Sequence, residues 1–147
     1  MPLSRPLVLA LAAATASVPL LAAPAGAAGG RPLDTALTGA AEVPVPGDLD
    51  GTGSAVVRVN VGQKQVCYDL SVTGIEAATA AHIHEAPVGA AGPVVIELTP
   101  PTGGMSSDCV TVTHALAKDI LKNPADYYVN VHNAEFPGGA LRGQLSK

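Results

Sequence analysis

The stretch Ser54 to Thr73, SAVVRVNVGQKQVCYDLSVT, decides the fold. In its first half Val57, Val59 and Val61 fall on one face, with Val56, Arg58 and Asn60 on the other. In its second half Val66, Tyr68, Leu70 and Val72 alternate with Cys67, Asp69, Ser71 and Thr73. A period of two sends alternate side chains to opposite faces of a strand, and Gly62-Gln63-Lys64-Gln65 closes the two runs into a hairpin. The apolar set faces the core, so Cys67 projects from the other side.

Outward from this hairpin the same signal recurs in short runs separated by glycine and proline. Thr79 to Glu85, Val94 to Thr99, Cys109 to Thr113, Tyr127 to Asn133 and Ala140 to Leu145 read as strands, and Leu33 to Thr38 as a first short one. Glu42 to Asp48 holds two prolines and reads as an edge or loop. One helix is expected, over Ala115 to Lys122, capped by Thr113 or His114 and stopped by Pro124. These elements predict an all-β protein, an antiparallel Greek-key β-sandwich or barrel with one short helix.

The chain has 147 residues. Arg5 precedes an apolar run from Leu7 to Leu21, and Ala25-Gly26-Ala27 offers small residues for a peptidase, so residues 1–27 read as a cleaved secretory signal. A membrane anchor fits less well, because the run is short, holds Pro19 and lacks a stop-transfer charge pattern. Residues 28–36 read as a flexible lead-in and 37–146 as the domain. The formal net charge is −4, and removal of Arg5 makes the exported chain one unit more acidic. Without clustered Lys and Arg, nucleic acid is not an expected partner. The two cysteines, Cys67 and Cys109, in an exported chain point to one disulfide rather than two free thiols. By the same alternation both lie on the outer side of the sheet.

Candidate chemistry rests on histidine. In Thr79-Ala80-Ala81-His82-Ile83-His84-Glu85, His82 and His84 share a face while Ala81 and Ile83 point the other way. In Tyr127-Tyr128-Val129-Asn130-Val131-His132, an apolar face of Tyr127, Val129 and Val131 opposes Tyr128, Asn130 and His132. Brought together, His82, His84 and His132 would offer three imidazoles to a metal, copper or zinc rather than calcium or magnesium. Glu85 and Glu135 are the carboxylates expected to support them. The alternative is that the histidines are half-exposed polar residues bonded to neighbouring strands. His114 belongs to the helix start. Arg142 and Gly143 mark the last hairpin, where Arg142 is expected in an internal salt bridge or backbone contact. No Gly-x-Ser-x-Gly elbow activates Ser54, Ser71, Ser106 or Ser107, and no catalytic residue is assigned.

Glu42-Val43-Pro44, Tyr68-Asp69-Leu70, His82-Ile83-His84, Tyr128-Val129-Asn130-Val131-His132 and Pro137-Gly138-Gly139-Ala140-Leu141-Arg142-Gly143-Gln144-Leu145 occur in the order seen in the CHRD domain, and Leu37 to Leu145 resembles that family. Ala140 stands where the family often has an acidic residue before its Arg-Gly unit. The family is named for repeats in chordin and also occurs alone in secreted microbial proteins. The resemblance implies an extracellular β-sandwich domain, and with no catalytic constellation the chain is expected to be a secreted, non-enzymatic module that binds another protein or a ligand of unknown identity. The chain is also similar, more distantly, to copper/zinc superoxide dismutases, which implies His82, His84 and His132 as analogues of copper ligands. It lacks the histidines and aspartate of a zinc site.

Overall fold

The computed structural model describes residues 29–147; the leader read at residues 1–27 lies outside them. The strands are β1 (Arg31–Thr38), β2 (Thr52–Asn60), β3 (Gln65–Thr73), β4 (Ala78–Glu85), β5 (Val94–Leu98), β6 (Met105–Thr111), β7 (Tyr127–Asn133) and β8 (Leu141–Gln144), with one α-helix, α1 (His114–Lys122). All pair antiparallel in one sheet of order β5-β4-β7-β8-β1-β2-β3-β6. Between β8 and β1 the ladder has a single pair, Thr38 with Arg142. At this seam the sheet divides into two four-stranded halves. The connections from β3 to β4, β5 to β6 and β6 to β7 each pass between the halves, the long crossovers of a Greek-key architecture. The all-β reading with one short helix therefore holds.

The core lies between the halves. Leu33, Leu37, Val57, Val59, Val66 and Leu70 come from one half and Ala81, Ile83, Val129, Val131 and Leu141 from the other, in one buried cluster. Each large aliphatic side chain so buried contributes on the order of 1.5–3 kcal/mol. Helix α1 adds Ala117 and Ile120 to the same cluster. Its cap is Thr113, whose hydroxyl accepts from the Leu116 amide at 3.1 Å.

Two boundaries differ from expectation. The strand read at Leu33 to Thr38 is present and begins two residues earlier, at Arg31, so that most of β1 falls within the residues 28–36 also read as a flexible lead-in; it pairs residue by residue with β2 from Arg31 opposite Val59. Leu33, Thr35 and Leu37 are buried while Asp34 and Ala36 are exposed. Pro32 is tolerated because that end of β1 has a partner strand on one side only. The strand expected at Cys109 to Thr113 instead spans Met105–Thr111, since β6 follows β3 from Ser71 to Gln65 and Thr113 is taken by the helix cap.

Cys67 and Cys109 stand directly opposite in the β3–β6 register and are bridged, with Cα atoms 3.9 Å apart. Closing a separation of 42 residues contributes ~4 kcal/mol in the chain-entropy model.

Candidate metal centre

The outer face of the β5-β4-β7-β8 half is polar but covered. Tyr128, Asn130 and Arg142 are buried there, whereas alternation alone left them facing solvent. The segment following β1 lies across this face: Glu42 accepts a 2.5 Å hydrogen bond from the Asn130 amide. Desolvation pushes the Glu42 carboxyl up to about 7, with the Asn130 hydrogen bond and Arg142 opposing the shift. Gly139 makes the approach possible. Its φ is +144°, and a side-chain carbon there would overlap the Glu42 carboxylate.

His82, His84 and His132 meet on this face. Each offers one ring nitrogen, and the three lie within 4.8 Å of one another. β7 is paired to β4 so that His82 stands opposite Asn130 and His132 opposite Ala80, which makes the two histidines diagonal neighbours across the ladder. His82 Nδ1 and His132 Nε2 are 3.1 Å apart.

The second nitrogen of each ring is occupied. His84 Nδ1 donates to the Gly92 carbonyl at 2.9 Å, and His132 Nδ1 donates to the Pro137 carbonyl at 3.0 Å. His82 Nε2 stands 3.0 Å from the Glu97 carboxylate. Carbonyl and carboxylate oxygens only accept, so these contacts place protons on His84 Nδ1, His132 Nδ1 and His82 Nε2, and in the neutral rings the lone pairs fall on His82 Nδ1, His84 Nε2 and His132 Nε2. His84 Nε2 is buried without a partner. Burial lowers the pKa of His84 and of His132, with the His82 charge acting in the same direction and the backbone hydrogen bonds against it. Both are therefore neutral at pH 7, the form that ligates metal.

Two lone pairs facing each other at 3.1 Å call for a cation between or on them, a proton or a metal ion. Two nitrogens at zinc–nitrogen distances of 2.0–2.1 Å and a tetrahedral angle stand about 3.3 Å apart. The donor set, three imidazoles each held by an outer hydrogen bond, suits zinc or copper.

Several expectations change here. Glu85 and Glu135 are exposed and make no hydrogen bond to the histidines. The carboxylate that does is Glu97, set opposite His82 in the β4–β5 register. Its signal was the alternation of Val95 and Glu97 against Ile96 and Leu98, which places it on the histidine face. Arg142 makes the expected backbone contact, donating to the Pro87 carbonyl at 3.1 Å, and adds Gln144 at 3.5 Å. It also lies over the Tyr128 ring, 3.4 Å from its centroid. At Gly143 a side chain would overlap the Ala36 carbonyl and Thr35 hydroxyl, so glycine is what lets β8 approach β1. His114 opens α1, away from the cluster.

No match was found among curated proteins or among solved structures. The family model for the CHRD domain matches residues 33–145, a span that takes in seven of the eight strands whole, β1 from Leu33, and all three histidines. The chain belongs to the CHRD domain family.

Proposed function

We propose that this chain is an extracytoplasmic binding module that holds one copper or zinc ion through His82 Nδ1, His84 Nε2 and His132 Nε2. The observation that carries the reading is the disposition of the ring nitrogens: one of each ring is tied to Gly92, Pro137 or Glu97, and the three rings offer one nitrogen each within 4.8 Å of one another. Bound there, copper supplies one-electron chemistry and zinc a Lewis acid. The protein's part is to keep His84 and His132 neutral and to hold the rings against rotation.

Work outside the cytoplasm is supported by the disulfide and by the leader-like sequence of residues 1–27. A role in interaction is supported by the exposed side chains of Val88 and Val45. Both stand on loops that touch this face, the one carrying Gly92 and the one carrying Glu42. The module then presents a metal site and a partner surface together.

Elemental analysis tests the metal reading. The tag-free exported chain, incubated with zinc or copper and desalted, retains about one equivalent, and the His82→Ala/His84→Ala/His132→Ala variant retains none. Absence of metal in the parent, with both proteins folded, contradicts it.

A further inference from the structure

A buried cation lies behind the three imidazoles. Arg142 is 2% exposed, and neither the ion pair of Arg58 with Asp69 nor the contact of His82 with Glu97 includes it. From the β8 side its guanidinium covers the Tyr128 ring at 3.4 Å. From the β4 side the His84 imidazole stacks on Tyr128, with centroids 4.8 Å apart and planes 6° from parallel. Guanidinium, phenol and imidazole thus form one stack that ends on a nitrogen of the site. Tyr128 is held in place by its hydroxyl, which accepts from the Gly92 amide at 3.3 Å.

A fixed positive charge in a poorly solvated place penalises the more highly charged of two oxidation states. We propose that Arg142, a positioning residue acting through Tyr128 and His84, raises the reduction potential of a copper ion held by the three imidazoles, so that the site is biased toward copper(I). This rests on the metal reading above. A unit charge roughly 10 Å from the ion, at an effective dielectric of about 20, changes the relative affinity for the two states roughly tenfold. For a one-electron couple that is about 59 mV.

The other charges at the site act in known senses. Glu97, on His82, favours copper(II). Glu42 is buried on the same face, within reach of the Arg142 charge, and when ionised it opposes that charge. Glu97 is retained when Arg142 is replaced, and because Arg142 opposes the upward shift of Glu42, the replacement is also made in the Glu42→Gln background, where only the arginine charge changes.

The test loads the tag-free exported chain separately with copper(I) and copper(II) and measures each affinity by competition, with bicinchoninate for the first and nitrilotriacetate for the second. Arg142→Gln lowers the ratio of copper(I) to copper(II) affinity roughly tenfold. Glu42→Gln, close in shape and able to keep its bond to Asn130, raises the ratio when measured at pH 8; it carries the test if Arg142→Gln does not fold. Ratios within about twofold of the parent in every folded variant overturn the inference while leaving the metal site standing. A parent that takes up neither ion overturns the metal reading, and this inference with it.

Discussion

The carboxylate of Glu97 stands 3.0 Å from His82 Nε2, which turns the other nitrogen of that ring, Nδ1, toward His132. His82 therefore presents Nδ1 where His84 and His132 present Nε2, and the difference follows from which outer oxygen each ring meets. Removing an outer carboxylate of this kind costs metal affinity by roughly tenfold or more. Glu97→Gln is expected to weaken zinc binding by about that factor in a chelator competition. The Glu97 side chain is 79% exposed, so the thermal midpoint of the metal-free protein stays unchanged.

The pH dependence of folding reports Glu42. Its carboxyl titrates at about 7 when folded, against 4.5 for the free group. Between those values the folded state binds more protons than the unfolded one, so this group makes stability fall as pH rises from about 4.5 to 7. His84 and His132 act in the opposite sense. Their pKa values are lowered by folding, so they make stability fall as pH drops below 6.5. The two contributions overlap, and a difference separates them. Urea midpoints of the parent minus those of Glu42→Gln should decline from pH 4.5 to 7 and then level off; a flat difference contradicts the assignment.

Gly139→Ala tests the contact that admits Glu42. Its φ of +144° and the carboxylate against it both resist a side chain, so the loss is expected to be about 1 kcal/mol or more by urea unfolding. Gly138→Ala, where a side-chain carbon meets nothing within 4 Å, is expected to cost less and serves as the control.

The bridge between Cys67 and Cys109 gives a separable prediction. Replacing both with serine is expected to lower the unfolding free energy by ~4 kcal/mol, seen as a fall in the urea midpoint. The histidine face lies on the other half of the sheet, so zinc stoichiometry in the folded variant is expected to stay at about one.

Period-two alternation was enough to place His82, His84 and His132 away from the apolar faces, because that pattern is local to each strand. Their meeting was not local. It depends on β7 pairing with β4 in the register that sets His82 opposite Asn130. Glu97 was hidden for a related reason, since the β4–β5 pairing shifts between Ile83 and His84. The burial of Tyr128, Asn130 and Arg142 needed a cover, and the cover comes from Glu42, 88 residues from Asn130 in the chain, and from the loop whose Gly92 and Pro87 meet Tyr128 and Arg142. Alternation reports which face a side chain takes but not what lies over that face. At β1 the period carried by Leu33 and Leu37 marked the strand, while Gly29, Gly30 and Pro32 hid its start at Arg31.

The most direct test of convergence is X-ray absorption at the zinc edge of the zinc-loaded protein. Three imidazole nitrogens at about 2.0–2.1 Å, with a light atom from solvent completing the shell, are the predicted result, and each single histidine-to-alanine variant should lose one imidazole or release the metal. A shell dominated by oxygen, or one unchanged when His82, His84 and His132 are all replaced, would contradict the three-imidazole site.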